Sequence, residues 1–109
     1  MKRTGTRFRP RLAQDHYDAI VIGSGIGGLT TAALLAKLGK RVCVLEQHYT
    51  AGGYTHSYER EGYEWDVGVH YIGDMGTDTM SRRFMDYLSG GKLDWAPMDP
   101  EYDRFYIGD

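Results

Sequence analysis

The sequence predicts an α/β fold built on a strand, a helix and a second, parallel strand. Residues 19–22 form a short, partly β-branched apolar run, which is typical of a strand in a parallel sheet. Residues 26–38 are rich in alanine and leucine and contain no proline, so they predict a helix that ends at Gly39. Residues 41–46 predict a second apolar strand with an acid at its carboxyl end. This order is a βαβ unit, in which the helix connects two neighbouring strands.

A glycine-rich turn joins the first strand to the helix. Gly23, Gly25 and Gly28 have the spacing of the dinucleotide fingerprint G-x-G-x-x-G. The first glycine permits a tight turn, the second lets backbone approach a pyrophosphate, and the third brings helix and strand together. The pattern therefore predicts a Rossmann-like βαβ dinucleotide-binding unit, with the diphosphate at the helix N-terminus. We expect the unit to be incomplete, because two strands and one helix leave one sheet face uncovered.

Glu46 follows the second strand at the position expected of a ribose-binding acid. It lies 18 residues after Gly28, close to the roughly 20 of the fingerprint. Its carboxylate can accept hydrogen bonds from two ribose hydroxyls, and it would repel a 2′-phosphate, which argues against NADP in this site. The alternative is an ordinary helix–strand unit with a glycine turn and a chance acid.

The composition bounds the class of protein and its surroundings. The 109 residues are 41% hydrophobic and 26% charged, as in one small globular domain. Five basic residues precede Asp15, so we expect residues 1–16 to be a basic, disordered tail and residues 17–109 to be the folded domain. The tail lacks the apolar core of a secretory signal, and residues 32–36 are the longest apolar run, too short to cross a membrane. We expect a cytoplasmic protein without nucleic-acid partners, and attraction of the tail to an anionic membrane surface is the alternative to a solvated tail.

Cysteine and histidine usage points away from disulfide and metal chemistry. Cys43 is the only cysteine, and its place within an apolar strand predicts a buried, inert thiol. The four histidines have no metal-site spacing, so we expect no metal centre. They are His16, His48, His56 and His70.

Further elements are predicted after the second strand. Residues 63–71 alternate between apolar and polar side chains, which predicts a half-buried strand with a bulge or a close backbone approach at Gly68. Residues 78–88 show a helical spacing of apolar side chains. Residues 93–97 and 104–107 resemble two strands joined by a turn.

These motifs together resemble the opening of FAD-dependent oxidoreductases of the amine-oxidase and phytoene-desaturase type. The resemblance rests on the glycine-rich turn, on residues 45–48 (LEQH) and on residues 51–53 (AGG). Residues 64–73 (EWDVGVHYIG) narrow it to the all-trans-retinol 13,14-reductases (retinol saturases) and the related carotenoid isomerases. It covers most of residues 17–73 and continues loosely to Tyr106, so residues 17–109 resemble the N-terminal part of an FAD-binding domain.

The resemblance implies FAD as the cofactor, with NAD(P) as a candidate electron donor. The residues that it assigns to the cofactor are Gly23, Ser24, Gly25, Gly27, Gly28, Glu46, Gln47, Gly52 and Gly53. Asp66 and Gly68 match a segment that leads toward the flavin. Tyr54 stands where amine-oxidase-like members have arginine, which favours the carotenoid and retinoid branch and removes one phosphate contact.

The resemblance also implies a lipophilic substrate and a reaction class. That reaction is the saturation, desaturation or isomerisation of a conjugated polyene, a retinoid or carotenoid, and the substrate is compatible with peripheral membrane association. Saturation needs a hydride from the flavin and a proton from an acid, for which His70 and Tyr71 are the candidates, with His56 behind them. The alternative for His70 is a hydrogen-bonded structural role. The family's chains are several times longer, so we expect this portion alone to be inactive.

Two other functional classes remain open. Rab GDP-dissociation inhibitors resemble this superfamily but bind prenylated partners without flavin, whereas an intact Gly28 with Glu46 favours retained cofactor binding. An NAD-dependent dehydrogenase uses the same fingerprint, but the Gly52-Gly53 motif so soon after Glu46 favours FAD.

Overall fold

The computed structural model describes residues 4–14 and 16–108. The chain divides into two compact units, Met1–Gly73 and Asp74–Asp109. In chain order the elements are a 3₁₀ helix (Pro10–Gln14), β1 (Ala19–Ile22), α1 (Ile26–Lys37), β2 (Val42–Leu45), a 3₁₀ turn (Gly53–Thr55), β3 (Ser57–Arg60), β4 (Tyr63–Asp66) and α2 (Met80–Ser89). The disorder expected of residues 1–16 stays a prediction, and residues 1–3 and 15 lie outside the described part.

The predicted βαβ unit is confirmed. β1 and β2 pair in parallel, with Ala19 opposite Val42 and Ile22 opposite Leu45. Beyond the last pair the Gly23 N–H donates to the Leu45 carbonyl oxygen at 2.7 Å. The glycine-rich turn and the residues after β2 therefore leave the sheet at the same edge, which places the site.

The sequence also predicts correctly where α1 ends. Gly39 has a left-handed φ of +77°. Its N–H donates to the Ala36 carbonyl oxygen, and the Lys40 N–H donates to the Leu35 carbonyl oxygen, both at 3.0 Å. This pair of hydrogen bonds is a Schellman motif, which satisfies carbonyls that the last helical turn leaves unpaired.

One face of the small sheet stays exposed, as expected of a single βαβ unit. Val21 lies on the helix side of β1, where its Cγ1 atom approaches Gly28 of α1. Ile20 and Ile22 point the other way and are 62% and 87% exposed. Ala32 of α1 is the buried apolar side chain of the described core, and Cys43, expected to be buried, is half-buried.

The strand predicted over residues 63–71 is only partly confirmed. β4 ends at Asp66 and pairs antiparallel with β3, a strand that the sequence analysis missed. The two residues between them, Glu61 and Gly62, have φ of +54° and +81°, as a type I′ hairpin turn requires. The expected half-burial is wrong, since every residue of β4 is exposed.

Beyond β4 the chain leaves the strand conformation and meets Tyr54. A Cβ atom added at Gly68 would lie 3.1 Å from the Tyr54 Cβ atom. The close backbone approach predicted at Gly68 is therefore confirmed, although it lies after the strand and not within it.

The second unit contains α2 and no strand among its described residues. The predicted helix over residues 78–88 is confirmed with shifted ends: Thr79 is the N-cap and Gly90, with φ of +66°, is the C-cap. The strands predicted at residues 93–97 and 104–107 are wrong. Two short strands are marginal without a third strand or a covering helix, and Pro97 cannot donate to a ladder.

No helix in the described ranges is long and apolar enough to reach across a membrane.

Candidate functional site

The glycine-rich turn has the backbone that its spacing predicts. Gly23 has a left-handed φ of +93° and turns the chain sharply off β1. A Cβ atom at Gly28 would lie 2.1 Å from the Gly23 carbonyl oxygen, so only glycine lets α1 approach the strand this closely. These two positions fix the direction in which α1 leaves the sheet.

The N-terminus of α1 opens onto free space. Gly25 is its N-cap, and no side chain caps it. Cβ atoms added at Gly25 or Gly27 would meet nothing within 4 Å. Uncapped N–H groups and the positive end of the helix dipole together suit an anion such as a diphosphate.

Ser24 joins this turn to Glu46 at the end of β2. Its side chain is almost fully buried, at 1% exposure. Both its N–H, at 2.8 Å, and its hydroxyl, at 2.5 Å, donate to the Oε2 atom of Glu46. The other oxygen, Oε1, accepts the N–H of His48 at 2.8 Å. The structure thus brings together two sequence-predicted site residues that are 22 positions apart.

These hydrogen bonds hold Glu46 in its ionised form. The Ser24 hydroxyl, followed by the N–H groups of His48 and Ser24, lowers the pKa of Glu46 from 4.5 to about 2. A carboxylate offers about four acceptor positions, of which these three bonds use three. The acceptance of ribose hydroxyls by the Glu46 carboxylate stays a prediction.

The second glycine motif packs onto the first. The Gly52 N–H donates to the carbonyl oxygen and to the Oγ atom of Ser24, both at 3.1 Å. Gly53 has a φ of +57°, and a Cβ atom there would lie 2.9 Å from the Gly25 Cα atom. The structure therefore places residues 52 and 53 beside the glycine-rich turn, and their contact with a cofactor stays a prediction.

A cleft of about 440 Å³ opens next to Glu46. Its lining from the predicted site comprises Ser24, Glu46 and Gln47. The rest of the lining is Thr4, Gly5, Thr6, Arg7, Phe8, Leu29, Val44, His48, Tyr49, Thr50 and Ala51. Residues 4–8, which the sequence predicts to belong to a solvated tail, instead form part of the wall of this cleft. The basic character of that tail was the available signal, since Arg7 is one of the lining residues.

Three rings cluster where the chain leaves β2. The centroid of the His48 ring lies 4.2 Å from that of Tyr49 and 5.0 Å from that of His56. The Nδ1 atom of His56 is within hydrogen-bonding distance of the Gly53 carbonyl oxygen. These contacts place His56 beside the second glycine motif, and its candidacy as a proton donor stays a prediction.

The candidate proton donors are not brought to the cleft. His70 and Tyr71 are both exposed, and neither lines it. Their catalytic role stays a prediction. No group of three or more His, Cys, Asp or Glu side chains in residues 4–14 and 16–108 is placed to hold a metal ion.

The chain is similar to known proteins over most of its length. The sequence profile of the NAD(P)-binding Rossmann-like domain matches residues 21–88. All-trans-retinol 13,14-reductase of Danio rerio is 50% identical over 98 residues, which is 90% of this chain and 16% of that protein. The rat (Rattus norvegicus) protein of the same name is 56% identical over 93 residues, 85% of this chain and 15% of the relative.

A plant protein is similar over a comparable share of the chain. Prolycopene isomerase, chloroplastic, of Arabidopsis thaliana is 60% identical over 94 residues, which is 84% of this chain and 16% of that protein. The chain therefore spans about a sixth of the length of the curated relatives that it matches.

Proposed function

Because this chain belongs to the NAD(P)-binding Rossmann-like domain family, we propose that it is the FAD-binding portion of an oxidoreductase acting on a conjugated polyene. The substrate would be a retinoid or a carotenoid. Similarity to relatives named all-trans-retinol 13,14-reductase and prolycopene isomerase supports this substrate class. Residues 17–109 would form the N-terminal part of the FAD-binding domain.

One observation carries the proposal: the glycine-rich turn and an ionised acid meet at one edge of the sheet. The open space above Gly25 fits a diphosphate at the N-terminus of α1, because no side chain intrudes there. Glu46, hydrogen bonded to Ser24 and His48, has an acceptor position for a ribose hydroxyl. The residues present therefore fit a dinucleotide.

The second glycine motif supports FAD over NAD as the bound dinucleotide. Gly52 is hydrogen bonded to Ser24, and Gly53 approaches Gly25, so both backbones border the path of the cofactor. Gln47, which lines the cleft beside Glu46, would contact the adenosine half. We propose NAD(P) as an electron donor and not as the resident group.

The chain's own part in the reaction is to bind and orient the cofactor. When bound, FAD supplies hydride transfer to or from the polyene. Gly23 and Gly28 fix the conformation of the glycine-rich turn. Gly25 and Gly27 leave space for the diphosphate at the N-terminus of α1. Glu46 anchors the ribose. His70 or Tyr71 would deliver a proton only if the complete polypeptide brings them to the substrate. Replacing His70 with glutamine in that polypeptide tests this: unchanged turnover would eliminate His70.

A lipophilic polyene also favours peripheral association with a membrane surface from the cytoplasmic side. The basic segment before Asp15, which includes Arg7 and Arg9, is the part of this chain suited to anionic headgroups.

The deciding experiment is the visible absorption spectrum of the longest native polypeptide that begins with this sequence, purified without added cofactor. We expect flavin bands at near-stoichiometric intensity, after which retinoids and carotenoids are tested as substrates. A colourless protein that fails to take up added FAD would overturn the proposal in favour of a flavin-free binding protein. Tight NADH binding without flavin would instead indicate an NAD-dependent dehydrogenase.

A further inference from the structure

We propose that Ser24 is a positioning residue. Its hydroxyl holds the Glu46 carboxylate and the second glycine motif (Gly52 and Gly53) in the positions from which both would contact the dinucleotide. This role goes beyond contact with the cofactor, and its effect on binding rests on the proposed function. The hydrogen-bond geometry of Ser24 does not depend on the proposed function, because every hydrogen bond involved lies within the chain.

The position of Ser24 suits such a role. At 1% exposure its side chain is buried, so its hydroxyl exchanges hydrogen bonds with protein groups. Two donors from this one residue, the N–H and the hydroxyl, converge on the Oε2 atom of Glu46. Two converging bonds restrict rotation of the carboxylate and leave Oε1 as the oxygen with acceptor capacity.

The chemistry of the two partners explains why a hydroxyl stands between them. The ionised Glu46 can only accept a hydrogen bond, whereas the Gly52 N–H can only donate one. A serine hydroxyl does both at once: it donates to Oε2 at 2.5 Å and accepts from Gly52 at 3.1 Å. Alanine at this position would remove one hydrogen bond from Glu46 and one from the Gly52 N–H.

The link spans three separate segments of the fold. Ser24 belongs to the turn after β1, Glu46 follows β2, and Gly52 begins the second glycine motif. Because Gly53 also packs against Gly25, a shift of the second motif would move backbone beside the diphosphate position. Loss of the hydroxyl is therefore expected to loosen the ribose end and the diphosphate end of the site together.

The ionisation of Glu46 gives a readout that general destabilisation would not mimic. The Ser24 hydroxyl is the largest cause of the lowered pKa of Glu46, so removing it raises that pKa from about 2 toward 4.5. The other charged or titratable groups that face the same cleft are Arg7 and His48, together with the Tyr49 hydroxyl. These groups are unchanged in the variants, so a shift in the titration of Glu46 is attributable to Ser24.

The test uses the full polypeptide that carries this sequence, with Ser24→Ala and Ser24→Cys as the two loss variants. Cysteine also fills the site, with a sulfur atom larger than the hydroxyl oxygen, but it is a weak donor, so it decides the question if the alanine variant does not fold. Ser57→Ala is the matched control, because Ser57 also donates to a glutamate, Glu64, at 2.7 Å, but outside the cleft.

Two quantities are measured for each protein: the titration of the Glu46 side-chain carbon by NMR in the cofactor-free form, and the Kd for added FAD from pH 4 upward. We expect both Ser24 variants to titrate Glu46 at higher pH and to bind FAD on the order of tenfold more weakly, the scale of one hydrogen bond to a charged group. The Ser57 variant should match the wild type in both.

The outcomes separate the two proposals. Unchanged Glu46 titration and unchanged FAD affinity in the Ser24 variants would overturn the positioning role while leaving FAD binding intact. A wild-type polypeptide that binds no FAD would overturn the proposed function, and the Glu46 titration would still decide whether Ser24 positions the acid.

Discussion

Adjacent glycines in the first turn of α1 face different surroundings. A Cβ atom at Gly28 would lie 2.1 Å from the Gly23 carbonyl oxygen, whereas one at Gly27 would meet nothing within 4 Å. The two positions share a helix, a turn and a fingerprint, so they form a matched pair for testing helix–strand contact.

We predict that Gly28→Ala lowers the free energy of unfolding by about 3 kcal/mol or more, because helix and strand must separate to admit the methyl group. Gly27→Ala should instead be neutral or stabilise by up to about 1 kcal/mol, since alanine favours helix. Urea unfolding followed by circular dichroism measures both. Equal stabilities of the two variants would contradict the close approach of α1 to β1.

Glu46 makes stability depend on acid pH. Its pKa is lowered in the folded chain, from 4.5 to about 2, so the folded state favours the carboxylate. The stabilisation is fully present above about pH 4.5, and it is lost as the pH falls toward about 2, since the unfolded chain takes up the proton first.

We predict that Glu46→Gln removes this part of the pH dependence. The variant should be less stable than the wild type at pH 7, and the difference should shrink as the pH falls from about 4.5 to about 2. Unfolding midpoints across this range are the measurement. A difference that stays constant with pH would show that Glu46 gains nothing from its hydrogen bonds to Ser24 and His48.

At the scale of elements, α2 depends on its N-cap residue, Thr79. The Thr79 Oγ1 atom accepts the Arg82 N–H at 3.3 Å and lies 2.7 Å from the Asp74 carbonyl oxygen, to which the hydroxyl donates. The side chain therefore satisfies one unpaired donor of the helix and ties it to the preceding loop.

We predict that Thr79→Ala destabilises this unit by about 1 kcal/mol, the usual scale for loss of an N-cap. Thr79→Ser keeps the hydroxyl and should retain most of that stability. Helical circular dichroism during thermal unfolding compares the three proteins. If serine were as damaging as alanine, the methyl group and not the cap would be responsible.

Helix boundaries and strand pairings differ in how far they depend on distant residues. Gly39 and Gly90 end α1 and α2 through their own left-handed φ, a local property that composition reveals. β3 and β4 exist because they face each other across Glu61 and Gly62, whereas residues 93–97 and 104–107 have similar composition but no pairing. The pairing of β3 with β4 therefore had to be learned from the structure.

At the scale of the whole molecule, the exposed face of the βαβ unit affects behaviour in solution. Ile20 and Ile22, which are 62% and 87% exposed, present an apolar strip on β1. Exposed apolar strand faces promote self-association, and Val21 between them points to α1 instead.

We predict that Ile22→Thr reduces self-association of this chain while changing the free energy of unfolding by less than about 0.5 kcal/mol, as at other exposed positions. Val21→Thr keeps the same β-branched shape but places a hydroxyl against α1, so it should destabilise by about 1–3 kcal/mol. Light scattering and denaturant unfolding provide the two readouts. Equal destabilisation by both variants would contradict the assignment of the two faces.

The sequence by itself determined the βαβ unit and pointed to the residues of its candidate site. Glycine at positions 23, 25 and 28 and an acid at position 46 are local signals, because each answers a steric or charge requirement of its own backbone position. Only the tertiary structure decided how they cooperate. The hydroxyl of Ser24 connects Glu46 with Gly52 across 22 and 28 positions, and residues 4–8 line the cleft from far along the chain. Such contacts depend on packing between segments, which spacing along one sequence does not encode.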